Sequence, residues 1–259
     1  MAKPADPAKT NEKALEVAQS TFRQMLGVID AGKMVFFGGA GVSTESGIPD
    51  FRSAGGVFSQ IKGLTPEIML SREYALTHQG EFFGFYFSHM IFKDALPNPA
   101  HRKLAELEQL GILGTVITQN VDGLHQTAGS ENVIELHGSV HRNHCESCNK
   151  FYNLDQMLEL YEISENNVPR CSECESIVWP DVVLYGDPVD QDLLERSARA
   201  IKEADMLVIA GTSLQVYPAA ALIRLFSGDY LVVVSLEDDP GFEWVDLYVQ
   251  APVGKFLSF

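Results

Sequence analysis

Near the start of the chain, apolar residues recur every three or four positions, at Leu15, Ala18, Phe22, Met25, Leu26 and Ile29. This spacing predicts an amphipathic helix over residues 11–31, with Gly32 as its C-cap. Later apolar runs have the length of single buried strands, at residues 34–37, 115–118, 133–136, 182–185, 206–210 and 230–235. Helical patterns separate several of these strands, at residues 99–110, 190–203 and 218–227. The alternation predicts an α/β fold with a doubly wound, Rossmann-like parallel sheet covered on both faces.

Two segments interrupt this alternation. Residues 53–95 are rich in Phe and Tyr at helical spacing, and residues 140–178 contain all four cysteines. We expect these insertions to form a smaller lobe, one part helical and the other zinc-binding. A single catalytic domain over residues 1–259 would then have a large lobe made of residues 11–52, 96–139 and 179–259. The cleft between the lobes is the expected ligand site.

Charge and hydropathy narrow the class of protein. The chain has 35 acidic and 19 basic residues, for a formal net charge of −16. This charge disfavours direct nucleic-acid binding and favours basic partners such as lysine-rich peptides. The sequence has neither the apolar core of a secretory signal nor a run of roughly 20 apolar residues that would span a membrane. We therefore expect a soluble cytoplasmic protein without a membrane partner.

The cysteines form two matched pairs, Cys145-x2-Cys148 and Cys171-x2-Cys174, with 22 residues between the pairs. Disulfide formation or redox catalysis by one pair are the alternatives. Two knuckles of this spacing favour a closed four-thiolate zinc site, in which the metal is structural because no position is left for water. A reduced cysteine set also favours the cytosol.

A glycine-rich turn follows the first predicted strand, at residues 38–41. Small residues at a strand-to-helix turn have a backbone explanation whether or not anything binds there. The dehydrogenase fingerprint is not met, because its third glycine would fall at Thr44 and no acidic residue ends a second strand. The turn continues instead into the acidic, aromatic and basic trio Asp50, Phe51 and Arg52.

The segment Gly39–Arg52 resembles the nucleotide-binding signature of the sirtuins, a family of NAD-dependent protein deacylases. Three later segments are similar to further sirtuin motifs in the family's order: Thr118–His125, Glu135–Ser139 and Gly211–Ala220. The resemblance extends from about residue 25 to about residue 256. It implies an enzyme that uses NAD as co-substrate to remove acyl groups from protein lysines, releasing nicotinamide and O-acyl-ADP-ribose.

The same resemblance implies roles for individual residues. His137 would be the catalytic base, and Asn120 would assist it; imidazole suits the first role because it titrates near neutral pH. The implied NAD-binding residues are Gly39, Ala40, Gly41, Ser43, Ile48, Asp50, Phe51, Arg52, Gln119, Asn120, Val121, Asp122, Gly211, Thr212, Ser213 and Ser235. The implied peptide-binding residues are Val183, Tyr185, Gly186, Val216 and Tyr217, which would clamp an acyl-lysine peptide as an added strand.

Several of these residues have a simpler structural explanation. Asn120 and Asp122 can stabilise a turn instead of binding a carboxamide. Ser213 can cap the helix predicted over residues 218–227. Both kinds of role can hold at once.

Three departures from the family pattern bear on specificity. Ser235 stands where sirtuins usually have asparagine, and residues 184–188 vary the usual Phe-Gly-Glu segment. The region after Arg52 has no Tyr-x-x-Arg pair of the kind that binds acidic acyl groups. The sequence therefore predicts acetyl or another apolar acyl group as substrate.

The alternatives that stay open are an ADP-ribosyltransferase or NAD glycohydrolase and, outside enzymes, a non-catalytic NAD-sensing module. All of them would use the same cleft. We expect a monomer.

Overall fold

The computed structural model describes residues 12–50, 64–237 and 244–259. Its larger sheet has six strands: β1 Met34–Gly38, β2 Leu113–Thr118, β3 Val133–Glu135, β7 Met206–Ala210, β8 Tyr230–Ser235 and β9 Leu247–Gln250. Its smaller sheet has three strands: β4 Gly138–Cys145, β5 Phe151–Tyr152 and β6 Val178–Val182.

The strands of the larger sheet are all parallel, in the order β3-β2-β1-β7-β8-β9. The chain moves outward from β1 to β2 and β3 on one side, and later from β7 to β8 and β9 on the other. The order therefore reverses between β1 and β7. In open α/β sheets, ligands bind at such a switch point, beyond the carboxyl ends of the strands.

Helices cover both faces of this sheet, as the sequence predicts. Successive strand residues point to opposite faces, so Met34 and Phe36 pack on one side while Val35 and Phe37 pack on the other. The first face is covered by Glu12–Leu26, Pro99–Gln109 and Val253–Phe256, and the second by Gln191–Lys202 and Ala219–Leu222. The doubly wound parallel architecture is confirmed.

A second core lies around the antiparallel sheet, whose order is β5-β4-β6. Its buried aromatic residues come mainly from the helix Gln79–His89, which contributes Phe82, Phe83 and Tyr86. Trp179 of β6 packs on Phe83, with ring centroids 5.2 Å apart. The other helices described are Pro66–Met69, Arg72–Thr77, Leu124–Thr127 and Leu154–Glu162, and the 3-10 turns are Ala40–Val42, Thr44–Ser46 and Ile223–Leu225.

The first helix is shorter than the prediction of residues 11–31, because it ends at Leu26. Gly27 follows directly, and glycine is a poor helix former. Gly32 is therefore not the C-cap. With a φ of +71°, it belongs instead to the turn in which the Lys33 N–H donates to the Asp30 carbonyl, just before β1.

Two other predicted elements differ. The strand predicted at 182–185 is not part of the parallel sheet, since Val182 ends β6 and pairs antiparallel with Gly138. The helix predicted at 218–227 is only one turn long, Ala219–Leu222, and tightens into a 3-10 turn. Apolar runs this short do not distinguish between these arrangements.

Among the helices of the described residues, none has the length and apolar composition that crossing a membrane requires.

Candidate active site

A cleft of about 440 Å³ opens at the switch point of the parallel sheet. The carboxyl ends of β1, β2, β7 and β8 all contribute to its walls, through the residues that follow each strand. Its lining includes most of the predicted site: Ala40, Gly41, Ser43, Ile48, Asp50, Gln119, Asn120, Val121, Asp122, His137, Val183, Tyr185, Gly186, Gly211, Thr212, Ser213, Val216, Tyr217 and Ser235. Gly39 lies behind this wall in β1's turn, and Phe51 and Arg52 fall outside the described residues.

The two glycine-containing loops pack backbone against backbone. The Gly41 N–H donates to the Gly211 carbonyl at 2.8 Å, and a Cβ on Gly41 would lie only 2.7 Å from the Gly211 Cα. Gly211 itself has a φ of +60° and would place a Cβ 2.5 Å from the Val42 nitrogen. Glycine is therefore required at both positions by contact between the loops. The close approach brings the ends of β1 and β7 together at the floor of the cleft.

His137 lies between the two sheets, in the connection from β3 to β4. Its Nδ1 is 3.1 Å from the Gln119 carbonyl oxygen. A carbonyl only accepts, so Nδ1 carries the proton and Nε2 keeps its lone pair. Burial lowers the pKa of His137, although the hydrogen bond to Gln119 opposes that shift. The imidazole is thus held neutral, as a general base requires.

Three polar side chains among the predicted NAD-binding residues form one hydrogen-bonded network. The Ser43 hydroxyl donates to Asp122 Oδ2 at 2.7 Å and accepts from Asn120 Nδ2 at 3.1 Å. Asp122 Oδ1 also accepts the N–H of Leu124 at 2.9 Å. The turn-stabilising explanation therefore holds for Asp122, while the network aligns the amide and the carboxylate beside the cleft.

Ser213 does not cap a helix. The helix Ala219–Leu222 begins after Pro218, and no side chain caps it. The hydroxyl that organises this loop belongs to Thr212, which accepts the Leu214 N–H at 3.2 Å and donates to Gln119 Oε1 at 3.3 Å. Ser213 is thereby left on the cleft wall.

One wall of the cleft was not predicted from the sequence. It comes from the inserted helix Gln79–His89 and the residues after it, through Tyr86, His89, Met90 and Phe92. The Tyr86 hydroxyl is fully buried and has no hydrogen-bond partner among the described residues. Tyr86, His89 and Met90 share a helix face by their spacing of three and four residues. That spacing was a signal in the sequence, but nothing in it indicates which cavity the face lines.

The four cysteines converge as the zinc prediction requires. Their sulfur atoms all lie within 4.8 Å of one another, with Cys145–Cys174 at 3.4 Å and Cys148–Cys171 at 3.6 Å. Four thiolates around a tetrahedral zinc ion are expected about 3.8 Å apart. Tyr152 Oη also donates to the Cys171 sulfur at 3.2 Å, an outer contact of the kind that supports thiolate ligands. The set is compatible with zinc and is separate from the cleft lining.

Known proteins of similar sequence indicate a single family for this chain. Residues 39–218 match the model of the Sir2 family. An NAD-dependent protein deacetylase of Clostridium acetobutylicum is 48% identical over 89% of this chain and 94% of its own length. One from Cutibacterium acnes is 49% identical over 86% of this chain and 90% of its own.

Solved structures agree with these relatives. A Sir2 structure with a p53 peptide and NAD+ superimposes with a TM-score of 0.80 at 37% identity, covering 92% of this chain and 95% of that one. A Sir2 structure bound to a propionylated peptide covers the same shares, with a TM-score of 0.80 at 36% identity.

The fold and the cleft together define a doubly wound α/β protein with a ligand cleft at the sheet's switch point, a buried histidine in that cleft and a separate four-cysteine cluster. The relatives make this class more specific. The chain belongs to the Sir2 family, the sirtuins.

Proposed function

We propose that this sirtuin removes acetyl or similar apolar acyl groups from protein lysines in an NAD-dependent reaction, with His137 as its catalytic base. The observation that carries the proposal is the position of His137 in a cleft at the β1/β7 switch point, with Nδ1 held by the Gln119 carbonyl. NAD supplies the ribose carbon that captures the acyl oxygen as nicotinamide leaves.

His137 accepts a proton from a ribose hydroxyl through Nε2. Its other nitrogen is held by the Gln119 carbonyl, so the ring cannot turn without breaking that bond. The lowered pKa keeps the lone pair available through the neutral range. No further base is required for this step.

Asn120 and Asp122 orient the nicotinamide carboxamide. An amide and a carboxylate offer the donor and the acceptors that a carboxamide needs, and Ser43 holds both side chains in register. Asn120 is also the polar side chain that we place beside the reacting ribose. We place Ile48 and Asp50 in the same pocket, as the resemblance to the sirtuins implies; both line the cleft.

Backbone groups of the two glycine loops and the hydroxyl of Ser213 hold the phosphates, and Ser235 at the end of β8 faces the adenosine ribose. These loops suit a phosphate because glycine lets it approach the backbone closely, although the N–H groups of Gly41 and Gly211 themselves donate to backbone carbonyls. Ser235 Oγ accepts the Glu237 N–H at 3.1 Å, so it is held beside the cleft.

The peptide binds between residues 183–186 and 216–217, which line the same cleft. Its acyl group packs against the apolar part of the cleft wall, formed by Tyr86, Met90 and Phe92. This wall favours acetyl and other uncharged acyl groups, because a carboxylate there would have no arginine partner in the wall described.

We further propose a monomer that acts in the cytoplasm and does not bind nucleic acid directly. The net charge of −16 and the reduced cysteine set support this. The two hydrophobic cores support a division into the large and small lobes predicted from the sequence. Size-exclusion chromatography with light scattering measures the oligomeric state.

Purified protein incubated with NAD and an acetyl-lysine peptide tests the function. Nicotinamide release and peptide mass are followed together, with His137→Ala as the variant. We expect release that depends on peptide, a loss of the acetyl mass, and neither in His137→Ala.

Two other outcomes would favour the alternatives. Nicotinamide release without deacetylation indicates an ADP-ribosyltransferase or NAD glycohydrolase. NAD binding by calorimetry without any turnover, also with propionyl or longer acyl peptides, indicates an NAD-sensing module.

A further inference from the structure

A bidentate ion pair joins the peptide side of the cleft to the inserted helices. Arg72 Nε and Nη2 donate to Asp187 Oδ1 and Oδ2 at 2.8 and 2.7 Å. The Asp187 side chain is only 16% exposed, and the guanidinium carbon also lies 5.7 Å from the centre of the Trp179 ring. Parallel pairing of this kind sets the orientation of both groups as well as their distance.

Asp187 also organises its own loop. The Leu184 N–H donates to Asp187 Oδ2 at 3.1 Å, and the Asp187 N–H donates back to the Leu184 carbonyl at 2.9 Å. Gly186, at the third position of this turn, has a φ of +95°, as a type II turn requires. One carboxylate therefore shapes residues 184–187 and connects them to Arg72.

The main chain makes the same connection. The Tyr185 N–H donates to the Leu70 carbonyl, and the Arg72 N–H donates to the Tyr185 carbonyl, each at 2.9 Å. These two bonds form an isolated parallel bridge between Ser71 and Tyr185. The ion pair lies directly beside it, so it limits how far the turn can move from the inserted helices.

We infer that Arg72 is a positioning residue for the peptide substrate, acting through Asp187 to hold the turn 184–187 at the peptide-binding wall of the cleft. The inference rests on the proposed function, because it takes residues 183–186 as the peptide site. The side-chain bonds described for Arg72 and Asp187 join them to each other and to Leu184, and not to the glycine loops or the Ser43 network. The pair therefore governs peptide binding and not NAD binding.

Steady-state deacetylation by the full-length protein, with an acetyl-lysine peptide and NAD each varied, tests this. We expect Arg72→Gln to raise the KM for peptide about fivefold to twentyfold, with kcat and the KM for NAD changed less than twofold. Asp187→Asn keeps an oxygen for the Leu184 N–H but loses the ion pair, so it should match Arg72→Gln. The double variant should be no worse than either single one.

Two controls separate positioning from folding. Arg72→Lys keeps the positive charge without the planar, two-pronged guanidinium, and its KM for peptide should lie between those of the wild type and Arg72→Gln. Arg196→Gln removes an exposed pair with Asp192 at 3.8 Å and should leave every constant unchanged. Binding of a fluorescein-labelled acetyl-lysine peptide to His137→Ala, with and without Arg72→Gln, gives the affinity apart from turnover.

An unchanged peptide KM in Arg72→Gln, with wild-type deacetylation intact, overturns the inference and leaves the proposed function standing. A fall in kcat together with equal rises in the KM for peptide and for NAD also overturns it, since these changes indicate a structural role. Wild-type protein that neither binds nor deacetylates the peptide is a different result, and it overturns the proposed function together with the inference.

Discussion

Ser43→Ala tests whether the hydroxyl that links Asn120 to Asp122, in the pocket that we assign to nicotinamide, contributes to the reaction. Ser43 is 1% exposed, and its hydroxyl makes both hydrogen bonds that link Asn120 to Asp122. Removing it leaves an amide proton and a carboxylate oxygen without their partner. The carboxylate and the amide then lose their alignment for the carboxamide.

The magnitude follows from the charge and exposure of the partners. A hydrogen bond to a charged group contributes about 1.5–3 kcal/mol. Asn120 and Asp122 are only partly buried, so water replaces some of this, and we expect a loss of about 1–2 kcal/mol of transition-state stabilisation. This corresponds to a fall of roughly fivefold to thirtyfold in kcat/KM for nicotinamide release.

The assay measures nicotinamide release at varied NAD, with inhibition by added nicotinamide as a second measure of the same pocket. The inhibition constant should rise along with the loss in kcat/KM. Ser164→Ala is the control, because it removes a 2.7 Å hydroxyl bond to the Tyr161 carbonyl outside the cleft lining. A Ser43→Ala enzyme within twofold of wild type on both measures would refute the reasoning.

Four further changes test other parts of the site. Because burial lowers the pKa of His137, kcat/KM for peptide deacetylation should fall with decreasing pH only below about 6.5, and an acid limb above that value would contradict its assignment as base. Gly41→Ala should abolish measurable NAD binding in calorimetry, since its Cβ would overlap the facing loop, whereas Gly27→Ala, whose nearest contact is 3.4 Å, should bind NAD normally. Cys171→Ser should lose zinc by elemental analysis and unfold the small sheet at a lower temperature than wild type, and unchanged metal content would exclude the tetrad as the site. Burial lowers the pKa of His125 to about 3. Below pH 6.5 the unfolded state therefore binds a proton that the folded state does not bind. The free energy of unfolding should decrease by up to about 1.4 kcal/mol for each unit by which the pH is lowered. His125→Phe should reduce that slope in urea unfolding between pH 6.5 and 4, and an unchanged slope would contradict the role of this histidine.

The sequence predicts five of the six strands of the parallel sheet, β1, β2, β3, β7 and β8, because each of these is a local feature. Apolar runs such as Met206–Ala210 and Tyr230–Ser235 have the lengths observed. Once the strands are placed, residues that follow them must meet at one edge of the sheet. Strand positions place His137 and the two glycine loops at this edge, but their roles were predicted from the resemblance to the sirtuins and not from position alone.

The last strand and the last helix were missed for the opposite reason. Leu247–Gln250 is four residues long and Val253–Phe256 is one turn, so neither has a periodicity to detect. Their place is set by packing, since β9 pairs with β8 and the helix packs on Phe22. Ala251, Pro252 and Val253 of the cleft wall were missed with them.

Contacts between distant segments also could not be predicted from the sequence. In the sequence, Asp187 stands out only as a departure from the family's usual glutamate. Its partner Arg72 is 115 residues away, and no pattern connects the two before the inserted helices are docked. The same holds for the Glu135–Arg142–Asp181 bridge, which ties β3 of the large sheet to β4 and β6.

The two halves of the cleft therefore have different physical origins. Strand ends of the parallel sheet form the half that we assign to NAD, where backbone contacts such as that between Gly41 and Gly211 leave little freedom for change. Inserted helices and the turn at Asp187 form the half that we assign to the acylated peptide, where side-chain contacts determine the shape. We expect substitutions in the second half to alter which acyl peptide binds without disturbing the loops that we assign to NAD.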